Sequence, residues 1–396
     1  MTKLHHSLLA ILLIGLFLAC KNDVKDKPVS DSVSVDSLLQ LRYQKLLEYP
    51  VDSVSFPRSF TKSTSTTRKV PSKDWTSGFF PGNLWQLYML TGNEAYKIKA
   101  IEWTALMEKE KNNGGTHDMG FKIYCSFGNG YEITADEKYK EVIVRSAQTL
   151  STRFNENVSS IRSWDFNRDA WEFPVIIDNM MNLELLFEAT RITGDSTYHK
   201  MAVRHANTTL KNHYREDNSS VHVVVYDTIT GAVKEKVTHQ GLTDESSWAR
   251  GQAWGIYGFT MSYRYTKNPA YLEKAKAATA FFLNHPNLPQ DGIPYWDFDD
   301  PAIPNAPRDV SAGSIVASAL LELATYHKSS EYLSYSHKVL NALQSKEYLI
   351  NNKLIAPFIL DHSTGNWPKK DEMDEPIVYG DYYFLEALLR TKSNQP

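Results

Sequence analysis

The sequence predicts an all-α fold, read as a closed α/α toroid of six helical hairpins. Three observations predict it. A short pattern, Thr-x-[Asp/Asn]-x-x-Tyr, recurs at Thr91–Tyr96, Thr134–Tyr139, Thr193–Tyr198 and Thr266–Tyr271, with a looser copy at His327–Tyr332. Four of these copies follow an apolar helical stretch and all precede another, so each reads as helix, tight turn and returning helix. Alternation of apolar and polar residues is scarce. The length left for such hairpins holds roughly twelve helices of ~11–20 residues with their loops. Twelve helices close into six hairpins with a funnel at one end, where loops of unequal length gather. An open superhelix satisfies the repeat equally well.

Taken in chain order, Lys3, His5 and His6 precede an apolar run from Leu8 to Ala19 that ends at Cys20. The run is short for a bilayer span and reads as a signal-peptide core. Leu16–Cys20 resembles a lipoprotein cleavage box, with Phe17 as a departure, which makes Cys20 the expected lipid anchor. Residues 1–19 are then a leader, and residues 20–34 a polar tether rich in Asp, Lys and Ser. The folded domain is expected over 35–396. Leu38, Leu39, Leu41, Leu46 and Leu47 fit a first amphipathic helix started by Asp36 and stopped by Pro50. Val221–Tyr226, the Thr230-Gly231 turn and Val233 mark a small strand-like insertion near 221–236.

Composition narrows the function classes. A net charge of −3 without a basic run argues against a nucleic-acid partner. Apart from Cys20 the only cysteine is Cys125, so neither a disulfide framework nor a cysteine metal site is expected. No HExxH, Walker loop, dinucleotide fingerprint or GxSxG elbow occurs, so no metal or cofactor is implied. The chain carries 22 Tyr and 9 Trp, which suit half-apolar, wet sites such as sugar pockets as well as cores.

Four segments break the pattern of solvated helix surface: Asp74–Gly82, His117–Phe121, Val175–Asn182, and Trp248–Trp254 with His239–Gly241 before it. Asp178 sits among Ile176, Ile177, Met180 and Met181, where burial should raise its pKa and suit it to general acid work. Asp118, in a glycine-bearing loop, supplies a second carboxylate, and paired carboxylates are the usual equipment for sugar chemistry. Helix capping is the competing role for both. Trp248, Arg250 and Trp254 at a helix start offer aromatic walls and a fixed cation, or alternatively core packing and a buried ion pair. His222 and His239 are candidates or satisfied structural histidines.

Together these strings resemble glycoside hydrolase family 88, the unsaturated glucuronyl hydrolases. The matching pieces are Trp75–Gly82, His117–Phe121, Ile177–Asn182, His239–Gly241, Ser247–Gly258, Tyr295–Phe298 and Tyr379–Arg390. The resemblance implies a six-hairpin toroid that removes a 4,5-unsaturated glucuronic acid from lyase-generated oligosaccharides, glycosaminoglycan fragments above all. It implies Asp178 as general acid and base, Asp118 as the second essential carboxylate and His222 as an assisting residue. Trp75, His117, Gln240, Trp248, Arg250 and Trp254 are implied to enclose the unsaturated sugar, and Ser363 and Lys370 to meet the next one. Lys369 and Lys370 would suit a sulfated or carboxylated neighbour. Two other readings stay open: a hydrolase of the same toroid acting on unsaturated rhamnogalacturonan fragments, and a lipid-anchored sugar-binding protein of helical repeats.

Overall fold

The computed structural model describes residues 35–351 and 353–393. The leader, Cys20 and the tether lie outside the described residues. The first helix, α1 (Val35–Glu48), falls where its leucines place it. The recurring pattern then joins α2 (Phe79–Thr91) to α3 (Glu94–Ala105), α4 (Asn129–Thr134) to α5 (Glu137–Ser151), α6 (Leu183–Thr193) to α7 (Ser196–Asn212), and α8 (Ala249–Thr266) to α9 (Pro269–Leu283). The looser copy joins α10 (Val310–Tyr326) to α11 (Ser330–Leu343), and α12 (Val378–Ser393) ends the described chain.

The turn explains its own sequence. The Thr hydroxyl donates to the carbonyl four residues back, as from Thr91 to Leu87 and from Thr193 to Ala189, both at 2.6 Å. The next residue takes the left-handed conformation, which glycine adopts without strain: Gly92 has φ 69° and Gly194 φ 77°. The following Asp or Asn donates its N–H to the Thr hydroxyl and caps the new helix through its side chain, as Asp195 does for Thr197 at 2.8 Å. The Tyr then packs inward; Tyr96, Tyr198, Tyr271 and Tyr332 are all buried. In the looser copy His327 is extended, and Ser329 supplies the cap.

Two kinds of helix result. α2, α8, α10 and α12 each carry an unbroken buried run, from Ala249 to Ser262 in α8 and from Val310 to Leu321 in α10. Helices buried on every face belong to the interior. α5, α7 and α11 bury only a stripe, such as Val142, Ile143, Ser146 and Ala147 of α5, and lie outside. Contacts between inner elements run from α2 through a π-helical segment, Gly120–Gly128, to α6, α8, α10, α12 and back to α2. At Gly258 of α8 a Cβ would lie 2.5 Å from the Met180 Cβ, so the close approach of α8 to the 3₁₀ turn Ile177–Asn182 requires glycine.

The strands extend beyond the expected insertion. β1 (Phe56–Thr61) and β2 (Thr66–Val70) form a hairpin bulged between Pro57 and Ser59, and β3 (Phe154–Asn155) pairs with β4 (Ser160–Ile161). The insertion supplies β6 (Val223–Tyr226) and β7 (Val233–Val237), turned at Gly231, but β6 also pairs with β5 (Pro174–Ile176). The insertion is therefore not local. β5 is three buried residues long, too short for any period to reveal it.

Candidate active site

The 3₁₀ turn Ile177–Asn182 follows β5 directly and carries Asp178 in its first turn. Asp178 caps nothing: the turn's N-cap is Ile176, and α6 begins at Leu183. Burial pushes its carboxyl up to about 7, with the Asp118 charge adding to the rise and Arg250 and the Trp254 indole N–H opposing it. Its Oδ2 is buried without a hydrogen bond.

His222 reaches Asp178 through the sheet register. Val223 pairs with Ile176, and the Ile177 N–H donates to the His222 carbonyl at 3.0 Å. His222 Nδ1 accepts from the backbone N–H of His239 and of Gln240, both at 3.1 Å. A ring nitrogen that accepts twice carries no proton, so the proton resides on Nε2. Burial holds the imidazole well below its ordinary pKa, hence neutral. Nε2 lies 3.7 Å from Asp178 Oδ2, and both atoms lack a partner. Buried polar groups left unsatisfied are the exception in a folded chain, and here two of them face each other.

Asp118 is brought to the same cavity by a clamp. At Gly120 a Cβ would sit 2.6 Å from the Asn182 Cα, and the Phe121 N–H donates to Asn182 Oδ1 at 3.1 Å. The start of the π-helical segment is thereby fixed against the 3₁₀ turn. Asp118 accepts from the Thr116 hydroxyl at 3.1 Å, and His117 Nε2 lies 3.2 Å from its Oδ1. Capping does not occupy this carboxylate either.

The cavity measures about 300 Å³. Of the residues singled out from sequence, Trp75, His117, Asp118, Asp178, His239, Gln240, Arg250 and Lys369 line it, and His222 stands behind Asp178, off the lining. Arg250 is buried and ion-paired with Asp309, and its guanidinium also donates to the Thr364 and Gly365 carbonyls. The ion-pair alternative is thus realised together with a place on the wall. Trp248 and Trp254 stand behind the wall. Trp248 packs under Arg250 at 4.7 Å and beside His222 at 4.7 Å, and Trp254 against Phe121 at 5.2 Å. α8 is buried on every side at this point, so its indoles support polar groups and do not face the opening. The aromatic lining is instead Trp75, Phe121, Trp164, Phe166 and Tyr379.

Ser363 and Lys370 are not on the lining. Ser363 is buried against Gly380, and the neighbouring Lys369 reaches the cavity where Lys370 does not. A change of side between adjacent residues follows from the turn there, with Lys370 at φ 53°. Arg58, Arg68, Asn366 and Asp371 complete the rim and were not singled out by sequence. Arg58 and Arg68 come from β1 and β2, whose strand pattern is broken by Pro57. Trp164 and Phe166 belong to an irregular loop with no motif.

A match to the family described as Glycosyl Hydrolase Family 88 spans residues 54–366. The chain is 59% identical over 396 residues, 99% of either chain, to an unsaturated glucuronyl hydrolase of Formosa agariphila. It is 36% identical over 329 residues, 80% of this chain and 81% of the other, to an unsaturated chondroitin disaccharide hydrolase of Streptococcus agalactiae. Among solved structures, an unsaturated glucuronyl hydrolase specific for heparin superposes with a TM-score of 0.87 at 44% identity, covering 91% of this chain and 96% of that one. The chain belongs to glycosyl hydrolase family 88.

Proposed function

We propose that the chain is an unsaturated glucuronyl hydrolase that removes a 4,5-unsaturated glucuronic acid from the non-reducing end of glycosaminoglycan fragments. The observation that carries this reading is Asp178: a buried carboxyl on the wall of an aromatic-lined cavity, with a pKa pushed up to about 7 and one unpaired oxygen 3.7 Å from the neutral His222 Nε2. The similarity to hydrolases of unsaturated glucuronyl and chondroitin fragments supports the substrate class. The cyclic run of contacts from α2 round to α12 supports a closed six-hairpin toroid with this cavity at its mouth.

The substrate is a vinyl ether whose C4=C5 bond is conjugated to a carboxylate. Protonated Asp178 delivers its proton to C4, and positive charge develops at C5 and the ring oxygen. Asp118 stabilises that charge. Asp178, now ionised, takes a proton from water, which adds to C5. The hemiketal so formed opens and releases the neighbouring sugar. His222 donates from Nε2 to Asp178 or to the incoming water, and Arg250 provides a fixed positive charge for the substrate carboxylate. Trp75, His117 and Gln240 bound the sugar, with Trp248 and Trp254 behind them. Lys369 and Arg68 on the rim favour an acidic or sulfated second sugar.

The test is incubation with unsaturated chondroitin, heparin and rhamnogalacturonan disaccharides, following the ultraviolet absorbance of the double bond. The expected result is loss of absorbance with the glycosaminoglycan disaccharides. Turnover of the rhamnogalacturonan disaccharide alone would reassign the substrate, and binding without turnover would leave a sugar-binding protein. We also infer a lipoprotein anchored through Cys20 at the periplasmic or outer face of a membrane. The apolar run and cleavage box at residues 8–20 support this.

A further inference from the structure

Arg58 reaches the cavity because its strand is irregular. β1 is bulged between Pro57, which pairs with Lys69, and Ser59, which pairs with Arg68, so Arg58 faces no residue of β2. A bulge leaves one residue outside the ladder and re-aims its side chain. Here the guanidinium lines the cavity and reaches two carboxylates from separate segments of the chain. Nε and one Nη donate to the two oxygens of Glu372, each at 2.8 Å. The other Nη donates to both oxygens of Asp74, at 3.2 and 3.0 Å. The planar fork of arginine fits carboxylates in this way, and an ammonium does not.

Each carboxylate holds one side of the pocket. Asp74 Oδ1 accepts from the Thr76 N–H at 2.9 Å and from the Thr76 hydroxyl at 2.7 Å, which fixes the turn that presents Trp75. The Arg58 guanidinium lies 5.9 Å from the centre of the Trp75 ring. On the other side Glu372 is buried, and its carbonyl accepts the Gly365 N–H at 2.7 Å. A Cβ on Gly365 would meet the Glu372 Cβ at 2.8 Å, so the two backbones are in close contact. The Gly365 carbonyl in turn accepts from Arg250 and, at 3.3 Å, from Gln240. Arg58 thus ties the Trp75 wall to the backbone carbonyl on which Arg250 and Gln240 converge.

We propose that Arg58 is a positioning residue for the unsaturated sugar: its bonds to Asp74 and Glu372 set Trp75 and the Gly365 carbonyl in fixed relation, and so the width of the pocket. The inference rests on the hydrolase reading above. A direct ionic role is the alternative, but the charges speak against it. One guanidinium is shared by two carboxylates, and the neighbouring Arg68 is taken up by Asp371 at 2.6 Å and Glu372 at 3.5 Å. The two roles predict opposite signs. If Arg58 attracted the substrate as a charge, neutralising Glu372 would free it and tighten binding. If it positions the walls, Glu372→Gln slackens the fork and weakens binding. Asp178 and His222 stand on other segments, so the loss falls on KM and not on kcat.

The experiment measures kcat, KM and the unfolding midpoint for the full chain, Arg58→Lys, Glu372→Gln and the double variant, on unsaturated chondroitin and heparin disaccharides. The expected result is a rise in KM of about tenfold in each single variant, with kcat within about threefold of the parent. In the double variant KM rises little further, because both changes break the same fork. Glu372→Gln gives a second reading if Arg58→Lys fails to fold. Unchanged KM in the folded variants, even with a lowered unfolding midpoint, would reduce Arg58 to a structural ion pair and overturn the proposal. So would a lower KM in Glu372→Gln, or a loss confined to kcat. If the parent itself turns over neither disaccharide, the hydrolase reading falls and this inference falls with it.

Discussion

At the scale of the residue, a raised pKa does not by itself identify the acid. Asp381 is pushed up to about 8 by burial, yet both its oxygens accept backbone N–H groups, from Ile359 at 3.0 Å and Leu360 at 2.9 Å, and it lies outside the cavity. Asp178 differs in lining the cavity and in having an unpaired oxygen that faces His222. Its replacement in Asp178→Asn is expected to lower kcat by roughly 10²–10⁴-fold while disaccharide binding survives, measured by turnover and calorimetry. Unreduced turnover would remove Asp178 from the mechanism. The acid must be protonated, so kcat/KM should fall as pH rises above about 7. The same shift affects stability with a definite sign. The unfolded carboxyl releases its proton near 3.8 and the folded one near 7, so its contribution is complete below pH 3.8 and is lost as pH rises through 7. At pH 8 Asp178→Asn should therefore be more stable than the parent, by up to about 4 kcal/mol, in denaturant unfolding. Replacing His222 by Ala leaves Asp178 without its facing N–H and is expected to cost roughly 10- to 100-fold in kcat with little change in KM.

At the scale of the element, the helical hairpins were legible because their turn is a chemical device. Thr, a left-handed residue and a capping Asp or Asn leave a fixed imprint on the sequence. Asp195→Ala removes one cap and should destabilise the chain by about 1 kcal/mol in thermal or denaturant unfolding, with activity intact below the transition. The carboxylates of the site were legible for another reason: Asp178 and Asp118 stand out against apolar or glycine-rich neighbours. What could not be read was the means of joining them. The β5–β6 register that seats His222 depends on three buried residues far from it in the chain, and the Gly120–Asn182 clamp depends on a distance between backbones. Likewise Trp248 and Trp254 announced an aromatic site, but only the packing of α8 showed that they stand behind its wall. Gly120→Ala should push the π-helical segment off the 3₁₀ turn, lowering kcat more than it lowers the unfolding midpoint, because Asp118 and Asp178 lose their common seat.

At the scale of the whole molecule, the inner helices α2, α6, α8, α10 and α12 pack in turn with the π-helical segment, and α8, α12 and that segment carry Arg250, Tyr379 and Phe121 to the cavity. The fold class followed from counting hairpins, whereas the rim residues Arg58, Arg68, Trp164 and Phe166 come from hairpin and loop insertions that carry no repeat. If Cys20 bears the lipid, Cys20→Ala should move the protein from the membrane to the soluble fraction on cell fractionation without altering the turnover of the purified chain. The central claim is that Asp178 hands a proton to C4 within the cavity. It is tested most directly by running the reaction on an unsaturated chondroitin disaccharide in heavy water and reading the product by NMR as it forms. The account predicts one deuterium at C4 in a single configuration, with the double-bond absorbance vanishing in step with release of the second sugar. Release of the second sugar ahead of the absorbance loss, with deuterium scrambled over both C4 positions, would contradict it.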